Sequence, residues 1–247
     1  MQMTQREWLL HKLFNAKFLT SCVLTITLLF TQAAQAGYKP PRTQKPPSGY
    51  TDSSGVRGGC QANGVRPVIL LAPVTHVGQT ASLHPTFAWF VPHSQQISME
   101  FTLYEFDAND QPSKLAYKQQ LQSSPGIMTL SLPQQAQDLT VGKKYLWQLE
   151  SLCNRNRPSR NLLVRAEIEV VPTPSNLKIA LSNQGEPSER VNLYAEAGMW
   201  YDALSEALAS ANNREQAKVA ASLLEDLAKS EQPLLDKDLS NIALSDQ

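Results

Sequence analysis

Ser175-Asn-Leu-Lys178 sets a hydroxyl three residues ahead of an amine at the start of a helix-like stretch. That is the spacing at which a lysine helps activate a serine nucleophile in penicillin-recognising enzymes. A Lys-Thr-Gly strand and a supporting Ser-x-Asn element are both missing, so the pair reads as an ordinary helix start. Gly142-Lys143 lacks the upstream glycine and following hydroxyl of a phosphate-cradling loop and reads as the turn before a strand. His76, His84 and His93 are potential ligands whose separations carry no metal signature. Asp107-Ala-Asn-Asp-Gln-Pro112 gathers oxygens suited to calcium, but it has neither the central glycine nor the terminal glutamate of such a loop, and a hairpin turn is expected there. Neither Gly-x-Ser-x-Gly nor His-Glu-x-x-His occurs. No catalytic residues, metal site or cofactor are assigned, and the chain is read as non-enzymatic.

Two groups suggest binding. Arg155, Arg157 and Arg160, interleaved with Asn154 and Asn156, offer donors for carboxylate, phosphate or sugar hydroxyls. They fall between two strand-like runs, where β-sandwich domains present binding loops; a solvated hairpin is the plainer reading. Tyr194, Trp200 and Tyr201 form the second group, a candidate helix interaction face. Tyr194, Gly198, Trp200 and Ala203 have the spacing of a tetratricopeptide helix pair, but in one copy, which makes no solenoid groove. The plainer reading is that Trp200 and Tyr201 dock the helices on the sandwich.

The elements that position these groups follow from the chain order. Arg6, Lys12 and Lys17 precede an uncharged, largely apolar run from Phe18 to Phe30, and Ala34-Gln35-Ala36 supplies small residues for a signal peptidase. Residues 1–36 are expected to be a signal peptide cleaved after Ala36, sending the chain to the periplasm or the medium. The run is short of the roughly twenty residues that span a bilayer, so no stable transmembrane anchor is expected after cleavage. Without this leader the chain has 19 Lys plus Arg against 21 Asp plus Glu, a balance that argues against nucleic-acid binding. It also keeps two cysteines, Cys60 and Cys153, in a compartment where disulfides persist, and these are expected to pair.

Residues 37–67 are rich in Pro, Gly and Ser and nearly devoid of apolar side chains, so a disordered arm is expected. From Val68 the pattern changes to short runs separated by Pro, Gly, Asn and Asp. Seven strands can be drawn: 68–72, 86–91, 98–106, 114–121, 127–132, 144–153 and 162–170. Pro85-Thr-Phe-Ala-Trp-Phe-Val-Pro92 is the central one, with Phe87, Trp89 and Val91 on one face. Met99, Phe101 and Leu103 alternate with Ser98, Glu100 and Thr102, and Leu162, Val164, Ala166 and Ile168 with polar partners.

After Val171 the apolar period becomes about 3.6, with Ser188 expected to cap one helix and Asn213 with Gln216 a last one. The fold class is therefore mainly β: an Ig/fibronectin-like antiparallel sandwich of about seven strands over 68–172, with a small α-helical appendage over 173–230 and a flexible tail over 231–247.

Arg57-Gly-Gly-Cys60, Pro85-Thr-Phe with Trp89-Phe-Val-Pro92, Pro125-Gly-Ile with Leu132-Pro133, Gly142-Lys143 followed by Tyr145, Trp147 and Cys153, and Tyr194-Ala-Glu-Ala-Gly-Met-Trp-Tyr-Asp-Ala-Leu204 form an ordered series. Together they resemble the cyanobacterial family called domain of unknown function 928. The resemblance implies an exported cyanobacterial protein and brings no activity, ligand or site residues. The function expected is a protein-protein interaction or scaffold module with an unknown envelope protein as partner. A polysaccharide-binding module is the alternative, and an envelope hydrolase a distant third.

Overall fold

The structure, a computed structural model, describes residues 37–42, 45–49, 67–153, 161–211 and 214–231, all within one compact unit. Eight strands are present among them: β1 (Ile69–Leu70), β2 (Gly78–Thr80), β3 (Thr86–Val91), β4 (Ser98–Phe106), β5 (Pro112–Gln122), β6 (Gly126–Ser131), β7 (Lys144–Ser151) and β8 (Leu162–Val170). Four helices follow: α1 (Ser175–Ser182), α2 (Pro187–Glu196), α3 (Trp200–Ser210) and α4 (Arg214–Ser230). One sheet has the order β1-β3-β6 and the other β2-β8-β7-β4-β5. The chain is thus mainly β with two sheets, but the expectation of seven antiparallel strands needs correction. β2, which was not foreseen, pairs with β8 in parallel, Gly78 opposite Ile168 and Thr80 opposite Val170. Three residues reading Gly-Gln-Thr carry no alternation by which a strand announces itself.

The alternation expected in the longer strands places the core. β3 lies between β1 and β6, and its Phe87, Trp89 and Val91 are buried. The Phe87 ring stands 5.0 Å from Phe101 of β4 and 5.2 Å from Trp147 of β7, so the two sheets meet there. Burying each such side chain contributes about 2–3 kcal/mol. Tyr145, at the start of β7, sends its hydroxyl back to accept from the Thr140 N–H at 2.9 Å. β5 is an edge strand that opens on Pro112, a position where the missing N–H costs nothing.

The helices are not an appendage. Trp200 and Tyr201, at the head of α3, are 0% and 1% exposed. Trp200 Nε1 donates to the Leu71 carbonyl at 2.9 Å, Trp147 Nε1 donates to the Tyr201 hydroxyl at 2.8 Å, and that hydroxyl donates to the Glu167 carbonyl at 3.3 Å. Strands and helices share one core, and the boundary expected at residue 172 does not divide two cores. α2 starts on Pro187, with Glu186 rather than Ser188 in the capping position. Asn213 of the expected capping box lies outside the described residues.

The amino-terminal stretch also departs from expectation. Residues 37–42 and 45–49 form a strap held by specific contacts, while residues 43–44 and 50–66 of the expected disordered arm lie outside the described residues. Tyr38 is 7% exposed, with its ring edge on Trp200 at 4.9 Å and its hydroxyl 2.8 Å from His76 Nε2. Lys39 N–H donates to the Ala195 carbonyl, Val77 N–H to the Lys45 carbonyl, and Ser48 N–H to Glu167 Oε1 at 2.8 Å. Lys45 pairs with Glu169. Gly198, at φ +79°, makes room for the strap: a Cβ there would stand 3.1 Å from Pro41 Cγ and 3.2 Å from the Lys39 oxygen.

Candidate functional site

A cleft of about 290 Å³ opens between the loop after β2, the start of β3 and the faces of α2 and α3. Asp202, Ser205 and Glu206 stand three and four residues apart on α3, so one helix face delivers two carboxylates and a hydroxyl. Thr80 at the end of β2 and Ser82 and His84 of the loop add to it, with Thr86 at the start of β3; Thr173, Tyr194 and Tyr201 complete the wall. The loop is shaped by its own hydroxyls: Ser82 N–H donates to Thr80 Oγ1 and His84 N–H to Ser82 Oγ, both at 3.1 Å. Ala81 N–H donates to Asp202 Oδ2 at 2.9 Å and ties this loop to α3. Ser205 Oγ donates to Thr86 Oγ1 at 3.2 Å.

Burial pushes the Asp202 carboxyl up to about 6, against the opposing pull of hydrogen bonds from Ala81, Thr80 and Ser82. Burial, and then the Asp202 charge, raise the Tyr194 phenol. The folded state therefore holds the Asp202 proton more tightly than the unfolded chain, whose value lies near 3.9. The stability this gives is complete below about pH 4 and is lost as pH rises through about 6. On the scale of 1.36 kcal/mol per pKa unit, unfolding in urea at pH 4 and pH 7 should show the native chain losing about 2–3 kcal/mol that Asp202→Asn does not lose. Parallel behaviour of the two proteins would refute it.

The other titratable groups in the cleft are already engaged. His84 has Nε2 2.8 Å from Asp138 Oδ1 and Nδ1 3.1 Å from the Pro133 carbonyl. Glu206 accepts from Arg190 Nε at 3.1 Å and from its Nη2. The arrangement offers carboxylate acceptors, hydroxyls of both polarities and a half-buried phenol, which suits a small polyhydroxylated molecule.

The residues singled out in the sequence have diverse fates. Tyr194 and Tyr201 both line the cleft, whereas Trp200 lies wholly in the core; Trp200 and Tyr201, at 0% and 1% exposed, dock the helices on the sheets and leave Tyr194 as the more exposed member of the expected helix interaction face. Asn154, Arg155, Asn156, Arg157 and Arg160 lie outside the described residues, as do Cys60 and Ala36, the residue after which cleavage is expected. Cys153 follows β7, half-buried beside Ile97 and Leu162, with its N–H donating to Asn161 Oδ1 at 3.1 Å. Ser175 and Lys178 are exposed at the start of α1.

The three histidines sit in different surroundings: His76 with Tyr38 and Glu231, His84 with Asp138, and His93 against the Gln95 carbonyl. Among the described residues no three His, Cys, Asp or Glu side chains are grouped to hold a metal ion, and no helix is long and apolar enough to cross a membrane.

Sequence reasoning missed Asp202 and Glu231. Asp202 looks like any acidic residue in a first helical turn. Glu231 was expected to open the flexible tail, yet it is fully buried. Its Oε2 accepts from Val74 N–H at 3.0 Å and Thr75 N–H at 2.7 Å, while Oε1 accepts from Thr75 Oγ1 at 3.0 Å and lies 3.3 Å from His76 Nδ1. Its signal would have been a lone acid one residue past a strongly amphipathic helix.

Fold and cleft together define a two-sheet β protein clasped by carboxy-terminal helices, with a polar cleft between strand loops and helix faces. A family model described as Domain of Unknown Function (DUF928) matches residues 52–240, and the chain belongs to that family. No curated protein matches it.

Proposed function

We propose that this chain is an exported, non-enzymatic binding module of the cell envelope, and that its ligand is a saccharide seated in the cleft beside Asp202. The observation that carries this reading is the cleft's lining of carboxylates and hydroxyls with one partly exposed phenol, a set that matches the alternating donors and acceptors of sugar hydroxyls. It favours polysaccharide over the envelope protein expected first, because Trp200 and Tyr201 are used up in the core. Binding is preferred to hydrolysis because His84, Glu206 and Asp202 each already have a fixed partner.

A glycan array followed by calorimetry tests it. Saturable saccharide binding is expected, weakened about tenfold or more by Asp202→Asn and Ser205→Ala, since losing a hydrogen bond to a charged group costs about 1.5–3 kcal/mol. Binding that survives both changes but is abolished by Arg155→Ala with Arg157→Ala would move the site to the arginine loop. Absence of any saccharide binding would end the proposal.

We also propose that the two sheets form a sandwich of the Ig/fibronectin kind. The order β8-β7-β4-β5 facing β3-β6 supports this, as does the Tyr145 hydroxyl turned back to Thr140, the position of a tyrosine corner. The third proposal is the Cys60–Cys153 disulfide. Ser48 is fixed beside Glu167, which pairs with Leu146, and Cys153 lies about 23 Å further along β7 at the rise of a strand. The twelve residues from Ser48 to Cys60 can reach about 40 Å. Thiol labelling of the denatured, non-reduced exported protein should find neither cysteine; two labelled sites would refute the pair.

A further inference from the structure

We infer that removal of the leader creates a new ionic bond: the α-ammonium freed at Gly37 docks on the Asp226 carboxylate and locks the strap to α4. The inference rests on the expected cleavage after Ala36 and on the geometry of the residue next to it. Tyr38 N–H already donates to Asp226 Oδ2 at 3.3 Å. The Gly37 nitrogen is one residue upstream, so covalent geometry alone keeps it within about 7 Å of that oxygen.

Tyr38 cannot drift away from this position. Its ring lies against His76 and Trp200, its hydroxyl is bonded to His76, and the next residue donates to the Ala195 carbonyl. Gly37 carries no side chain to stand between the amine and the acid. In the uncleaved chain the same nitrogen is a neutral amide, and Asp226 has only the Lys229 ammonium, 3.1 Å away on its own helix, as an ionic partner among the described residues. The other charged groups packed near this end of the strap are paired elsewhere, Lys39 with Glu196 and Glu231 with His76.

Cleavage thus converts the strap's first residue from a passive neighbour into a charged anchor. The folded-state pKa of this amine is then raised above its unfolded value of about 7.7–8.0. By linkage the added stability is fully present below that value and is lost as pH rises through the folded pKa.

The test begins with the amino-terminal sequence of the exported protein. A start at Gly37 is expected; any other start removes the premise and overturns the inference before the ion pair is examined. Thermal unfolding is then compared between the chain beginning at Gly37 and the same chain acetylated at that nitrogen. The free amine is expected to melt about 2–4 °C higher at pH 6.5, the shift that a bond of about 1 kcal/mol gives in a domain of this size. The difference should shrink to nothing by about pH 10 and vanish in Asp226→Asn, whose side-chain oxygen still accepts from Tyr38 N–H. Equal melting of the two forms at pH 6.5, or an undiminished difference in Asp226→Asn, would overturn it. Saccharide binding does not enter this measurement, so its failure and that of the cleft proposal are separable.

Discussion

Trp200→Ala is expected to remove about 4–5 kcal/mol of folding free energy, the upper part of the range for truncating a buried tryptophan. The side chain is fully buried, its indole N–H satisfies the Leu71 carbonyl beside β1, and Tyr38 of the strap rests its ring edge on it. Truncation therefore opens a cavity, orphans a carbonyl and loosens the strap at once. Against a total stability of about 5–15 kcal/mol, such a loss leaves little margin. Trp200→Phe keeps most of the packing and should cost only about 1–2 kcal/mol, chiefly the hydrogen bond. Urea unfolding followed by circular dichroism measures both. A change below about 1 kcal/mol for the alanine variant would mean that the helix face is exposed after all.

Glu231→Ala should cost about 3–5 kcal/mol, because several buried donors lose their acceptor at about 1–3 kcal/mol each. The carboxylate serves the Val74 and Thr75 N–H groups, the Thr75 hydroxyl and His76 together, and alanine leaves all four without it. Glu231→Gln retains an acceptor oxygen and should lose clearly less. The same urea titration decides the matter: an alanine variant as stable as the native chain would return residue 231 to the loose tail that its sequence suggests.

What the sequence disclosed and what it hid differ by the range of the forces involved. β3, β4 and β8 were legible to the residue because alternating side chains on a half-buried strand are a local signal. β2 was not, since Gly78, Gln79 and Thr80 become a strand only when β8 arrives alongside. The strap misled for a related reason. Its composition cannot build a core of its own, yet Tyr38, Lys45 and Ser48 need none when His76, Glu169 and Glu167 stand ready on other elements. The cleft was hidden most deeply: Asp202 and Ser205 gain chemical meaning only beside Thr80 and Thr86, more than a hundred residues away in the chain.

The bonds of Glu231 to Val74 and Thr75 span 157 and 156 residues, and that of Tyr38 to Asp226 spans 188. Each closes a loop nearly as long as the fold itself. Hairpins such as β4–β5 can zip early from local contacts, whereas these clasps require the chain entropy of the whole loop to be surrendered first. Folding should accordingly be slow to commit, with its final step waiting on the last helix. As the chain is made from its amino terminus, local strand pairs can form early, but the seats of Tyr38 on Asp226 and of Val74 and Thr75 on Glu231 wait until the last helix is present.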